Sequence, residues 1–263
     1  MWIKNLFRRL RWKTNRRARD LYIEAIRVLV TNELYVPGSH LTEGRVWPPG
    51  QAMTMIGNKR LANIRECIER VIFDDIPGDM IETGVWKGGA VLFMRAILHA
   101  YNIKDRCVYA ADSFCGIPPV NVEKYPADKV HEGSENMEIL NNNSMQEVMG
   151  YFERAGLLDD KVVFVPGWFR DTLPGLKAQR FSLLRLDGDL YESTWDALVH
   201  LYGKLSVGGF VIVDDYSAWE GCKKAVQDFR KLHGIEDPIV QIDWVGAYWR
   251  KTKNTNPAPN GPS

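Results

Sequence analysis

Two stretches place paired carboxylates where an apolar run stops. Phe181-Ser182-Leu183-Leu184-Arg185-Leu186 leads into Asp187-Gly188-Asp189-Leu190-Tyr191-Glu192, and Gly208-Gly209-Phe210-Val211-Ile212-Val213 leads into Asp214-Asp215-Tyr216. Each run reads as a buried strand that delivers acid to the rim of a sheet. In an open α/β sheet, ligands bind in the crevice beyond the carboxyl ends of the strands. Two acidic rims side by side would hold a cation. Helix capping at two strand-to-helix turns explains either pair alone, but explains both together poorly.

Other strand ends add to this edge. Met80-Ile81-Glu82-Thr83-Gly84-Val85-Trp86-Lys87-Gly88-Gly89 ends one strand and opens a helix. Gly84 lets the backbone turn sharply against a ligand, and Gly88 and Gly89 permit close approach at a helix N-terminus. The run departs from the G-x-G-x-x-G dinucleotide fingerprint. An acid at this turn would repel a pyrophosphate and suits an amino-bearing ligand, so Glu82 turns the reading toward S-adenosylmethionine. Ala110-Ala111-Asp112-Ser113 puts an acid where such folds bind ribose hydroxyls, unless Asp112 only caps its turn. Val165-Pro166-Gly167-Trp168-Phe169 offers an aromatic edge for an adenine, or ordinary packing.

Positioning these groups takes alternating strands and helices. Strands are expected at 79–83, 106–111, 162–165, 181–186, 209–213, 239–242 and 244–249, and helices at 88–101, 145–155, 194–205 and 222–233. This alternation implies an α/β fold, a doubly wound, mostly parallel seven-stranded sheet. The last two strands, separated only by Asp243, make the final strand antiparallel. Upstream, a helix over about 16–34 shows an apolar face of Leu21, Ala25, Val28 and Leu29, and a helix from Asn58, read as its cap, to about Asp74 turns Leu61, Ile64, Ile68 and Val71 inward. The domain reading is 1–57 for N-terminal helices and a lid or substrate loop, 58–250 for the catalytic-type core, and 251–263 for a disordered tail.

Totals agree with a soluble globular chain: 263 residues, 45% hydrophobic, 25% charged, formal net charge +1. Cys67, Cys107, Cys115 and Cys222 show no metal-finger spacing. No signal peptide precedes them, which suggests a reducing cytoplasm. The basic residues cluster before Asp20, and Trp2, Ile3, Leu6, Phe7 and Leu10 share one helical face. Such a segment, Trp2 to Trp12, would lie at the inner membrane face or pack on its own domain or a partner subunit. Arginine clustering also suits phosphate contact, but no stacking platform or reading helix accompanies it, so nucleic acid is not expected.

From about Trp47 to Arg250 the chain resembles the macrocin-type sugar O-methyltransferase family. The carrying motifs are Met55-Ile56-Gly57 with Arg60-Leu61, Glu82 to Gly89, Ala111-Asp112-Ser113-Phe114 with Gly116-Ile117-Pro118-Pro119, Pro166-Gly167-Trp168-Phe169, Leu186 to Thr194, and Val213-Asp214-Asp215-Tyr216. The resemblance implies a class I, Rossmann-like methyltransferase fold that uses S-adenosylmethionine and a divalent cation, usually magnesium, to methylate a deoxysugar hydroxyl on a natural product. It implies that Glu82, Thr83, Gly84 and Gly88 line the methionine side, Asp112 the ribose, and Ser113 and Trp168 the adenosine. It makes Asp187, Asp214 and Asp215 the cation ligands and Asp189 the general base.

A sugar hydroxyl is too weak an acid to ionise unaided at neutral pH, whereas cation coordination lowers an oxygen acid's pKa by several units. Spacing leaves open which of Asp187 and Asp189 is base and which is ligand. Trp47, Met55, Tyr191 and Tyr216 are candidates for the acceptor wall, and 117–135 for a lid in which His131 reads as a solvated loop histidine. The acceptor is expected to be a sugar on a small molecule, glycan or glycolipid, and the protein a homo-oligomer. Two alternatives remain: a phenolic acceptor with similar metal chemistry, or a basic-arm nucleic-acid or membrane binding module with a degenerate core.

Overall fold

The computed structural model describes residues 16–36, 43, 51–132 and 143–255. The expectations for residues 2–12, Trp47 and the last residues of the chain, 256–263, lie outside them. Seven strands form one sheet in the order β3-β2-β1-β4-β5-β7-β6. They are β1 (Asp79–Thr83), β2 (Val108–Asp112), β3 (Val162–Pro166), β4 (Phe181–Leu186), β5 (Leu205–Val213), β6 (Val240–Gln241) and β7 (Ala247–Arg250). The first five are parallel, and β7 runs antiparallel to both β5 and β6. The helices are α1 (Arg16–Thr31), α2 (Asn58–Phe73), α3 (Gly89–Ala100), α4 (Met145–Arg154), the one-turn α5 (Phe169–Thr172), α6 (Tyr191–Leu201) and α7 (Glu220–Leu232).

Strand residues alternate between two cores because successive side chains point to opposite faces. Met80, Leu183, Phe210 and Ile212 join the core under α1 to α4, whereas Ile81, Leu184, Val211 and Val213 join the one under α6 and α7. β4 is buried along all six residues, as a central parallel strand covered on both faces must be.

Two helix expectations need correcting. Helix α1 buries Ile23, Ile26 and Val30, while Leu21 and Leu29 of the expected face are 62% and 48% exposed. Apolar residues lie on both sides of α1, so composition alone did not choose the inward side; α1 docks on α3, with Arg19 over the Tyr101 ring at 4.2 Å. At α2, Gly57 holds the cap position, and Asn58 instead accepts from Arg27 and donates to Glu33.

Two boundaries also move. The stretch Ala52 to Ile56 packs into the fold, with Met53 N–H donating to Val30 C=O (2.8 Å) and Gly89 N–H to Met53 C=O (2.9 Å). Lys251, which opens the expected tail, is buried and donates to the carbonyls of Tyr202 and Leu205. No helix among the described residues is long and apolar enough to cross a membrane.

Candidate active site

The sheet order reverses between β1 and β4, the place where an α/β sheet opens a crevice. The ladder continues one residue past the strands and sets the rim in register. Gly84 N–H donates to Ala111 C=O (2.8 Å), Asp187 N–H to Thr83 C=O (2.8 Å) and Asp214 N–H to Leu186 C=O (2.9 Å). Gly84, at φ 85°, has no room for a side chain, because a Cβ there would collide with the Asp187 carbonyl.

A cleft of about 880 Å³ opens on this rim, lined by Gly84, Trp86, Asp112, Ser113, Trp168, Asp187 and Asp189 among others. A smaller cavity of about 360 Å³ adjoins it and includes Thr54, Ile56, Arg60, Glu82, Arg185 and Asp214. Met55, Trp86 and Asp187 line both.

The Asp112 carboxylate holds two loops together. Oδ2 accepts from Val85 N–H (2.6 Å) and Trp86 N–H (3.4 Å), and Oδ1 from Phe114 N–H (2.8 Å). Burial raises its pKa against these hydrogen bonds. It therefore caps its turn and also lines the cleft.

The acid cluster follows from the period of two. Glu82 lies two residues beyond Met80, Arg185 two beyond Leu183, and Asp214 two beyond Ile212, so all three continue the row facing α2. Arg185 is 1% exposed and binds Glu82, Asp187 (2.8 Å) and Asp214. From α2, Arg60 reaches Asp214, with Asp243 at 3.3 Å. The guanidiniums of Arg60 and Arg185 are still outnumbered by the carboxylates of Glu82, Asp187, Asp189, Asp214, Asp215 and Asp243.

Burial, followed by Asp214, pushes Asp187 up to about 6, and burial pushes Glu82 up to about 8 against the pull of Arg185. Ligand atoms of Asp187, Asp214 and Asp215 lie within 4.8 Å of one another. Asp189 is 8% exposed and sits at φ 56°, a left-handed conformation that an aspartate tolerates better than most residues. It is held there by the tight turn in which Leu190 N–H donates to Gly188 C=O (2.5 Å).

Several candidates do not reach the cleft. Thr83 is buried in the ladder, and Gly88 at φ 78° meets the Val148 side chain, which makes it a packing position. Tyr191 turns away, stacks on Trp195 and donates to Asp228, and Tyr216 is a partly buried packing residue against the α6–α7 core. His131 is not solvated: it is 6% exposed, with its ring 4.5 Å from that of Trp219. Sequence reasoning passed over Arg60 and Arg185. For Arg185, a single charge inside a strand otherwise destined for burial was the available signal, because such a charge demands partners; Arg60, on α2, carried no such signal. It also missed Glu192 and Asp196, one turn apart on α6 and both on the cleft, where burial, then Glu192, raises Asp196 to about 6.

This fold with this rim defines a class I S-adenosylmethionine-dependent methyltransferase. The profile of the Macrocin-O-methyltransferase (TylF) family matches residues 5–251, and the chain belongs to that family of O-methyltransferases. It is 46% identical over 248 residues to the 8-demethyl-8-(2,3-dimethoxy-alpha-L-rhamnosyl)-tetracenomycin-C 4'-O-methyltransferase of Streptomyces olivaceus, covering 89% of this chain and 94% of the relative. It is 43% identical over 249 residues to the mycinamicin III 3''-O-methyltransferase of Micromonospora griseorubida, covering 89% and 97%. The solved structure of the O-methyltransferase NovP superposes with a TM-score of 0.85 at 45% identity, covering 89% of this chain and 100% of that one.

Proposed function

We propose that the protein methylates a sugar hydroxyl of a natural product, with Asp189 as general base and a divalent cation held by Asp187, Asp214 and Asp215. One observation carries this reading: a single cleft shares walls from Gly84, Asp112 and Trp168 on one side and from Asp187 and Asp189 on the other. A donor and an acid turn can therefore address the same space. Support for a sugar acceptor comes from the relative named for a rhamnosyl substrate. The names of the two relatives specify different oxygens, 4' and 3''.

The residues fit both groups. Three carboxylates whose ligand atoms lie within 4.8 Å of one another, in a cluster where acids outnumber the guanidiniums, make the all-oxygen set that magnesium accepts. Bound there, the cation would lower the pKa of an acceptor hydroxyl. For S-adenosylmethionine, Glu82 Oε2 is buried with no hydrogen-bond partner among the described residues, and an amino group of the donor would satisfy it.

The chain's own work is placement and proton transfer. The Gly84 turn would admit the donor closely, Asp112 would lie on its ribose side and Trp168 on its adenine side. Arg60 and Arg185 fix the rotamer of Asp214, and Arg185 that of Asp187. With donor and acceptor bound, Asp189 would take the hydroxyl proton while the oxygen forms its bond to the methyl group in line with the sulfur–methyl bond, which breaks and releases S-adenosylhomocysteine. Holding both reactants in that line supplies much of the acceleration.

The test incubates the full chain with S-adenosylmethionine, magnesium and a panel of acceptors, and reads products by mass spectrometry. The panel holds 8-demethyl-8-(2,3-dimethoxy-α-L-rhamnosyl)-tetracenomycin C, mycinamicin III and catechol. One added methyl on a sugar oxygen, lost with chelator and restored by magnesium, is expected. Methylation of catechol alone, or turnover indifferent to chelation, contradicts the proposal.

A further inference from the structure

Helix α6 begins two residues after Asp189, and its local cap, Leu190, has no side chain able to accept a hydrogen bond. Its first amide groups are served from elsewhere. Asp128, on a 3-10 turn at Pro126–His131, accepts from Tyr191 N–H (2.6 Å) and Glu192 N–H (3.4 Å), and is 1% exposed. A buried carboxylate at a helix N-terminus satisfies orphan amides and meets the positive end of the helix dipole.

The contact is closely fitted. A Cβ at Gly221, in the first turn of α7, would collide with Asp128 Oδ1. Tyr125 stacks on Tyr191 with centroids 5.3 Å apart, and His131 packs edge-on to Trp219, which caps α7. The turn is thus clamped to both helices that follow the acid pairs. The segment leading to it rims the cleft, which Gly116, Ile117 and Pro118 line.

We propose that Asp128 is a positioning residue: it caps α6 from the cleft-rimming segment, and so holds the Asp189 turn in place. The inference rests on Asp189 being the base. Without the Asp128 carboxylate, α6 loses the acceptor for its first amides and the turn loses the anchor immediately after it. The donor side, on the β1 and β2 turns, and the cation ligands Asp214 and Asp215, after β5, keep their own supports.

The experiment compares wild type, Asp128→Ala and Asp128→Asn as full chains with magnesium and S-adenosylhomocysteine, by amide hydrogen exchange and by turnover on the panel acceptor that wild type methylates. Asp128→Ala is expected to speed exchange at residues 187–192 about tenfold and to lower kcat by about ten- to a hundredfold, with acceptor KM and S-adenosylhomocysteine affinity within about twofold. Asp128→Asn keeps one acceptor oxygen and should recover most of both. Unchanged exchange at 187–192, or unchanged kcat in a variant whose exchange has risen, overturns the proposal. An equal loss of kcat in Asp128→Asn with restored exchange also overturns it. If wild type methylates no acceptor, the reading of Asp189 fails on its own, and the exchange comparison alone decides whether Asp128 holds the turn.

Discussion

Arg185 joins the proposed donor side of the site, at Glu82, to the proposed cation ligands Asp187 and Asp214. Its guanidinium touches Glu82, Asp187 and Asp214 from the middle of a fully buried strand. Breaking such a buried pair leaves uncompensated charge, so Arg185→Met should cost about 3–5 kcal/mol in urea unfolding. A cost under about 1 kcal/mol would show that the carboxylates simply protonate. The cation assignment makes a separate demand. Asp187→Asn and Asp214→Asn should each weaken magnesium binding at least about tenfold by titration calorimetry, since each removes an anionic ligand from an oxygen site. Unchanged affinity in both would remove the triad from consideration.

At the level of elements, the sheet was legible where a strand carried its own boundary. β4 was expected at 181–186 and found there, since an apolar run of that length ending in Asp187-Gly188 has few other readings. β5 starts earlier than expected, at Leu205, because the Gly208-Gly209 pair that looked like its start is an irregularity inside it. The acid pairs were legible as a site for the same reason as the strands. Their guanidinium partners were not, because Arg60 reaches Asp214 across 154 positions of sequence and no local pattern announces that contact. Nor was the Asp128 cap, 63 positions from Tyr191. Helix α1 shows the matching limit for packing: with apolar residues on two sides, only the docked partner selects one. Ile23→Ala should therefore cost about 2–4 kcal/mol by denaturant unfolding, and Leu21→Ala less than about 0.5 kcal/mol. The reverse order would place the other side of α1 inward.

Over the whole molecule, one sheet edge gathers three jobs on different loops. The β1 and β2 turns shape the proposed donor site, the β4 and β5 turns carry the acids, and α6 and α7 behind them are tied by the segment that rims the cleft. The proposed division of labour puts proton removal on Asp189 and leaves donor binding to other residues. The most direct test is Asp189→Asn, with turnover on the acceptor that wild type methylates and S-adenosylhomocysteine and magnesium affinities measured on the same preparation. Loss of a general base predicts a fall in kcat of about 10²–10⁴-fold with both affinities within about threefold of wild type. Near-normal turnover in Asp189→Asn would contradict the account and return the proton to Asp187.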